Sequence, residues 1–321
     1  MILVYTESEE GKIKKIALEA VAYAKGIADQ MGTSVTAVSI NANDTSELGK
    51  YGASKVLKVS NDKLNKFNAE AYADAIGQAA KNEGAKVIVL TSSANSKFLA
   101  PTLAVNLEAG FVPNVVALPE STSPFKVKHS VFTNKAFAIT EFSTEIKVIG
   151  LGKNSYGLKE NETSATSEDF SPNLDAHDFD MEIVSVDKAT DKVTIADAEI
   201  VVSAGRGMKG PENWGMVEDL AQTLGAATAC SKPVSDMGWR PHSEHVGQTG
   251  KPVASNLYIA IGISGAIQHL AGINASKVKV VINNDPEAPF FKAADYGMVG
   301  DAFEIVPQLT EKLKEFKAQN A

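Results

Sequence analysis

The chain has 321 residues, of which 44% are hydrophobic and 22% charged, and this predicts a soluble globular protein with two domains. The net charge of -8 argues against a nucleic-acid partner held through its phosphates. The single cysteine, Cys230, excludes an intrachain disulfide and a thiolate metal centre, and it fits a reducing compartment such as the cytoplasm. No stretch of about 20 apolar residues occurs, so no membrane insertion is expected.

Short apolar stretches alternate with helical patterns along the first part of the chain, which predicts a parallel α/β sheet. Two further stretches read as a hairpin around Thr133-Asn134, and a third antiparallel strand is expected to follow it. The predicted elements are strands at 2–6, 35–40 and 86–90, helices at 12–31, 67–82 and 96–108, the hairpin strands 127–132 and 135–142, and the third antiparallel strand at 145–149.

Residues 152–180 are polar and glycine-bearing, which predicts an exposed linker or excursion before one more strand at 181–186. The α/β alternation then resumes. We place the domain boundary between residues 190 and 191, with a Rossmann-like α/β domain after it. Its predicted elements are strands at 200–203, 257–261 and 278–282, helices at 211–224 and 306–318, and a short helix that follows the strand at 257–261 and ends at about residue 270.

The segment Gly205-Arg206-Gly207-Met208-Lys209-Gly210 has GxGxxG spacing between a predicted strand and a predicted helix. In this context glycines allow a phosphate to approach the backbone, and a helix N-terminus favours its charge. The acidic residue that usually follows about 20 positions later is missing. A plain glycine turn therefore remains an alternative, although Arg206 favours an anionic ligand.

Three more polar, glycine-bearing loops follow in this domain. The loop 246–251 offers backbone N–H groups, a hydroxyl and an amide, the loop 262–270 can cradle a phosphate, and the loop 283–289 follows a strand end. Each of them taken alone also fits an ordinary turn, and His269 taken alone fits a buried core histidine. Together the four loops predict one crevice large enough for a dinucleotide.

The same loops resemble the alpha subunit of electron transfer flavoprotein over roughly residues 198–318. The matching motifs are Ser203-Ala-Gly-Arg-Gly207, Val246-Gly-Gln-Thr-Gly-Lys251, Ile261-Gly-Ile-Ser-Gly-Ala-Ile-Gln-His-Leu270 and Asn283-Asn-Asp-Pro-Glu-Ala-Pro289 with Asp295-Tyr-Gly297. The resemblance implies an FAD-binding electron carrier, and not an enzyme, that forms a heterodimer with a beta subunit. It also implies electron uptake from acyl-CoA and related flavin dehydrogenases and delivery to a membrane quinone reductase by transient docking.

The resemblance also implies the cofactor contacts. Arg206 and Ser231 match residues at the ring and pyrophosphate, and Thr249 matches the partner of flavin N5. His269 lies near the flavin O2 by the same comparison, and Lys232 stands where the family usually has an arginine. The full set of implied FAD-binding residues is Arg206, Ser231, Lys232, Val246, Gly247, Gln248, Thr249, Ser264, Gly265, Ala266, Ile267, Gln268, His269, Asn283, Asp301 and Ala302, of which Asn283, Asp301 and Ala302 belong to the adenosine end.

Two other functions are compatible with a dinucleotide crevice. An NAD-dependent oxidoreductase would need an acid or base beside the reacting carbon, and only His245 or His269 could serve. A nucleotide-binding interaction module would have no redox role. We interpret the N-terminal domain, which lacks a glycine-rich phosphate loop, as a docking face for the partner subunit.

Overall fold

Two units make up the chain in the computed structural model, which describes residues 1–132, 134–181, 183–186, 194–195 and 198–320. The first unit contains residues 1–131 and 137–186, and the second contains residues 132–136 and 187–321. Both units are α/β. The predicted boundary between residues 190 and 191 lies outside the described residues.

The N-terminal unit is built on a mostly parallel sheet of ten strands within the described residues. The order along the sheet is β10-β9-β7-β11-β6-β1-β4-β5-β12, with β8 paired to β9, while β2 and β3 form a separate antiparallel ribbon. The strands are β1 (Ile2–Thr6), β2 (Ser8–Glu9), β3 (Lys12–Ile13), β4 (Val35–Ile40), β5 (Lys55–Val59), β6 (Val87–Thr91), β7 (Gly110–Val115), β8 (Ser121–Thr122), β9 (Phe125–Val131), β10 (Ala136–Glu141), β11 (Lys147–Leu151) and β12 (Thr166–Asp169), and the helices are α1 (Lys15–Met31), α2 (Ala69–Asn82) and α3 (Ser96–Asn106).

Both faces of this sheet are covered, because successive side chains of a strand point to opposite faces. Along β1, Ile2 and Val4 pack in the core that contains the α1 side chains, whereas Leu3 and Tyr5 pack in the core that contains α2 and α3. The local signals agree with this arrangement. The Asn68 side chain caps α2 by accepting the backbone N–H of Glu70 at 2.9 Å.

The strand expected at 145–149 as a third antiparallel strand is β11, and its predicted direction was wrong. It runs parallel to β6 on one side and to β7 on the other. Val148 and Ile149 are both fully buried in opposite cores, which suits the interior of a parallel sheet. Antiparallel pairing in this sheet joins β9 to β7 and to β8. Thr133 of the predicted hairpin turn lies outside the described residues.

The polar stretch 152–180 contains structure that its composition does not indicate. Thr166–Asp169 forms β12, which pairs in parallel with β5 although all four of its side chains are exposed. The strand predicted at 181–186 is wrong for the described residues there, 181 and 183–186, which form no strand. Val184 is 87% exposed, so no core holds this segment against a sheet. Residue 182 lies outside the described residues.

The C-terminal unit is built on a five-stranded sheet in the order β14-β13-β15-β16-β17, parallel throughout. Asp301 caps α7 by accepting the Phe303 N–H, and the helix therefore begins before the predicted residue 306. No helix in the described ranges is long and apolar enough to cross a membrane. The strands are β13 (Ile200–Ala204), β14 (Ala227–Cys230), β15 (Leu257–Ile261), β16 (Val278–Asn283) and β17 (Tyr296–Val299), and the helices are α4 (Gly215–Leu224), α5 (Lys232–Asp236), α6 (Ile267–Ile273) and α7 (Ala302–Gln319).

Candidate cofactor site

The site lies at the carboxyl edge of the C-terminal sheet. The chain passes from β13 to its neighbour β14 and then returns to β15 on the other side of β13. The direction of winding thus reverses between β13 and β15, and open α/β sheets bind ligands beyond such a point. The loops after β13, β14, β15 and β16 all begin at this edge. They therefore come together there, as the prediction of a single crevice formed by four loops requires.

The loop after β13 packs closely against the loop after β15 at three glycines, Gly205, Gly207 and Gly262. The N–H groups of Gly205 and Gly207 donate to the backbone oxygens of Ile261 and Gly262, at 2.9 and 3.1 Å. A Cβ on Gly205 would lie 2.3 Å from the Gly262 oxygen, and one on Gly207 would lie 2.6 Å from the Gly262 Cα. Gly205 and Gly207 of the GxGxxG segment therefore serve loop packing, and their N–H groups are already used.

A cavity of about 540 Å³ opens between these loops, within the range of small-molecule sites, roughly 300–1,000 Å³. Most of the predicted cofactor-binding residues lie on its wall. The predicted residues on the wall are Arg206, Ser231, Lys232, Val246, Gly247, Gln248, Thr249, Ser264, Ala266, Gln268, His269 and Asn283.

Four predicted residues are not part of this wall. Gly265 is packed against Phe290, since an added Cβ would lie 2.5 Å from that residue's backbone nitrogen. Ile267 is 74% exposed on α6. Asp301 and Ala302 lie at the start of α7, where the Asp301 carboxylate caps the helix and Ala302 is buried in the core beneath it.

Backbone contacts hold the second predicted loop in place. The Val246 N–H donates to the Cys230 oxygen of β14 at 3.0 Å, and the Gln248 N–H donates to the Gln268 oxygen of α6 at 2.7 Å. Gly272 of α6 carries no side chain, and a Cβ there would lie 2.6 Å from the Gly247 Cα. The loop that carries Thr249 is therefore fixed between β14 and α6.

The polar groups of the wall differ in how far the protein already satisfies them. Asn283 donates to the Ile263 oxygen at 3.0 Å and accepts the Asp285 N–H at 3.0 Å, so its side chain ties two loops together. In contrast, the backbone N–H of Ser264 donates to no acceptor among the described residues, and neither does that of Gly265, which is next to Ser264 but not on the wall. Free donors beside a cavity suit an anionic ligand.

The charged groups on the wall are mostly cationic. Arg206 and Lys232 line it together with one carboxylate, Asp285. His269 is buried, and its Nε2 hydrogen-bonds with the Tyr258 hydroxyl at 3.0 Å. Burial lowers the pKa of His269 to about 4, so that the imidazole is neutral at pH 7. The described residues contain no group of three potential metal ligands.

Sequence reasoning left six wall residues out of the predicted set. Every one of them adjoins a predicted residue or lies in one of the four loops. The sequence therefore located the loops that form the wall, but not every wall residue within them. His245 directly precedes the Val246 loop and lines the cavity while being only 2% exposed. The missed residues are Gly207, Pro233, His245, Gly262, Ile263 and Asp285.

Comparison with known proteins places this site in a family. Residues 2–173 match the family model described as the electron transfer flavoprotein domain, and residues 194–274 match the electron transfer flavoprotein FAD-binding domain. The electron transfer flavoprotein subunit alpha of Bacillus subtilis is 35% identical over 98% of this chain and 97% of its own length. The chain belongs to the electron transfer flavoprotein alpha-subunit family. The subunit alpha of Pseudomonas aeruginosa is 36% identical over 96% of this chain and 98% of its own length.

Membership of the electron transfer flavoprotein family fixes the class of cofactor and of activity. The FAD-binding domain covers the loops after β13, β14 and β15, so the cofactor is FAD. The family carries electrons and does not catalyse bond-making chemistry on a substrate of its own. An NAD-dependent oxidoreductase is therefore not favoured. The fit of the wall to FAD rests on the free N–H donor of Ser264, the two cations and the glycine-bearing loops.

Proposed function

We propose that this chain is the FAD-carrying subunit of a heterodimeric electron transfer flavoprotein of the cytoplasm. It accepts electrons from flavin dehydrogenases, such as the acyl-CoA dehydrogenases of fatty acid oxidation, and passes them to a membrane quinone reductase by transient docking. Its partner in the heterodimer is the beta subunit. The observation that carries this proposal is the cavity whose wall combines Arg206, Thr249 and His269 at one edge of the C-terminal sheet.

We assign the wall residues to parts of the cofactor as follows. Arg206 and Ser231 bind at the ring and pyrophosphate, and Thr249 is the partner of flavin N5. The loop from Ser264 to His269 holds phosphate and ribityl groups, with His269 near the flavin O2. Bound FAD supplies the electron uptake and release, and the residues around it bind and orient it. Neutral His269 can donate one hydrogen bond without adding a charge.

Asn283, Asp301 and Ala302 are assigned to the adenosine end. Asn283 is on the cavity wall, while the other two lie at the start of α7. The assignment of Asp301 and Ala302 therefore requires the adenosine to extend beyond the cavity toward α7. A cofactor longer than the cavity is consistent with this, because a dinucleotide spans the edge of an α/β sheet.

The absorption spectrum of the purified protein tests the proposal. Protein isolated with its partner subunit is expected to be yellow, with flavin absorption that remains after desalting. Colourless protein that instead binds NAD would contradict the proposal and favour the oxidoreductase.

Arg206→Ala is expected to lose FAD on dialysis. A charge-assisted hydrogen bond contributes roughly 1.5–3 kcal/mol, which corresponds to roughly a ten- to hundredfold weaker affinity. Lys209→Ala is the matched control, because Lys209 belongs to the same loop but packs its ammonium over the Phe303 ring and is not on the cavity wall. Affinity measured by flavin fluorescence quenching should fall only for Arg206→Ala. Equal affinity for both variants would refute the role of Arg206.

A further inference from the structure

His245 has no assigned part in binding FAD, yet it occupies the wall of the FAD cavity. Its side chain is buried, and its Nδ1 atom has no hydrogen-bond partner among the described residues. A buried polar nitrogen without a partner is costly, because it has lost its hydrogen bonds to water. An unsatisfied atom of this kind on a residue that lines a cavity calls for an explanation, and a response to what the cavity holds would supply one.

The backbone around His245 holds its ring at the wall. The His245 N–H donates to the His242 oxygen at 3.1 Å, and the His245 oxygen accepts the Lys251 N–H at 2.9 Å. An isolated bridge joins His245 to Cys230 of β14. Gly250 approaches so closely that a Cβ there would lie 2.4 Å from the His245 oxygen. The backbone of His245 is therefore fixed on both sides, and its side chain is only 2% exposed.

Before an electron enters the cavity, most of the groups that face His245 disfavour the protonated form of its imidazole. Burial lowers the pKa of His245, and His242, whose ring centroid is 5.2 Å away, and Lys232 lower it further. Asp236 of α5 acts in the opposite direction. From α6, His269 is neutral, because burial lowers its pKa to about 4.

Two neighbouring groups do not change this balance. Burial raises the pKa of the Cys230 thiol to about 12, so β14 contributes no charge. The Glu244 carboxylate is engaged by Arg240, whose Nη2 lies 2.7 Å from Oε1. His245 is therefore neutral near pH 7 and is poised to bind a proton if negative charge enters the cavity.

We infer that His245 is a redox-linked proton acceptor of the FAD site: its imidazole binds a proton when the cofactor gains an electron and releases it when the electron leaves. This rests on the proposed function, because it requires FAD in the cavity. The electron comes from the donor dehydrogenase, and the proton comes from bulk solvent and is added at a ring nitrogen of His245. One negative charge and one positive charge thus enter together, and no other reactant is needed.

His245 suits this role better than His269. The Nε2 atom of His269 is hydrogen-bonded with Tyr258, and the pKa of about 4 lies far below neutral pH. An opposite charge within about 4–6 Å commonly shifts a pKa by one unit or more. Such a shift raises the proton affinity of His245, whereas His269 starts from a pKa of about 4 and stays neutral at pH 7. The two histidines of the wall therefore have different roles. His269 is a neutral hydrogen-bond donor, and His245 is the group that titrates.

Histidine-selective NMR on the full-length protein, purified with its partner subunit and loaded with FAD, tests the inference. The side-chain nitrogens of His245 are followed against pH in the oxidised protein and after reduction with dithionite, and their signals are assigned by their loss in His245→Gln. We expect the apparent pKa of His245 to rise by at least one unit on reduction, a tenfold or greater gain in proton affinity. At pH values between the two pKa values of His245, the coupled proton uptake makes the one-electron potential more dependent on pH. The added slope is at most about 59 mV per pH unit.

His242→Gln is the matched control, because His242 is exposed and is not on the cavity wall. It should raise the pKa of His245 in both states and leave the difference between the states intact. An identical pKa of His245 in oxidised and reduced wild-type protein would overturn the inference, even if His245→Gln does not fold. If the protein carries no flavin, the proposed function fails instead, and the two failures are thus distinguishable.

Discussion

His269 is a single residue whose ionisation the fold shifts strongly in the acid range. Its pKa is lowered by burial from an ordinary value of 6.5 to about 4. Between these values the unfolded chain binds a proton that the folded chain does not bind. The free energy of unfolding should therefore fall as the pH is lowered from about 6.5 to about 4, by an amount on the order of 3 kcal/mol, and level off below that.

Urea unfolding of FAD-free protein at a series of pH values measures this dependence. The only tryptophans, Trp214 and Trp239, both belong to the C-terminal unit, so their fluorescence reports the unit that contains His269. His269→Gln removes the titrating group and should flatten the curve in this window. If the curves of the wild type and the variant stay parallel, burial does not control the ionisation of His269.

Lys232 is the other single residue with a specific electrostatic prediction. It lies at the start of α5 on the cavity wall and is exposed, so solvent screens its charge. At an effective dielectric constant of about 20, two unit charges 4 Å apart interact by roughly 4 kcal/mol. If solvent screening leaves about a quarter of this energy between the Lys232 ammonium and a charge on the reduced cofactor, the one-electron potential shifts by about 40 mV. Lys232→Gln should lower the potential for the first electron, and Lys232→Arg should raise it. Spectroelectrochemical titration compares the three proteins, and superimposable curves would place Lys232 outside the cofactor's electrostatic environment.

The packing of the β13 loop on the β15 loop decides the shape of the cavity. Gly207→Ala would place a Cβ 2.6 Å from the Gly262 Cα, and the contacting atoms are backbone, which cannot rotate away. We expect the two loops to separate, with a loss of about 1–3 kcal/mol in stability and weaker FAD binding. Thermal unfolding and flavin titration measure the two effects.

Gly215→Ala is the control for this substitution. Gly215 is the first residue of α4, is exposed and has no atom within 4 Å of an added Cβ. Alanine is favoured over glycine in a helix by up to about 1 kcal/mol, so this variant should be as stable as the wild type or slightly more stable. Comparable destabilisation by both alanine substitutions would mean that the loop contact is not the cause.

The whole molecule is expected to depend on its partner subunit. On α3 and β10, the apolar side chains of Phe98, Val105, Phe137 and Ile139 are each more than half exposed. Exposed apolar surface of this kind is typical of an interface, and it lowers the solubility of an unpaired chain. Sedimentation velocity should show self-association of the chain alone and a single heterodimer after co-expression with the beta subunit. A stable, FAD-loaded monomer would count against obligate pairing.

Elements with strong local signals could be predicted, and those that depend on distant pairing could not. The buried β1 and the amphipathic α1 and α2 lie close to their predicted positions, because apolar spacing and a capping residue such as Asn68 act within a few residues. Strand β12 was missed, since its polar sequence pairs with β5 through the backbone and through the Lys55–Glu168 ion pair, and buries no apolar side chain. The direction of β11 depends on the neighbours that the sheet gives it, β6 and β7, and its own five residues carry no such information.

The sequence by itself determined the α/β class and the four ligand loops, because glycine spacing and polar residues after apolar strands are local properties of the chain. Only the tertiary structure decided that the carboxyl ends of β13, β14, β15 and β16 meet around one cavity. It alone placed His245 on the wall and left Asp301 at a helix cap. The physical reason is that the burial and the charged neighbours of a side chain are set by strand order and loop packing between residues far apart in the chain.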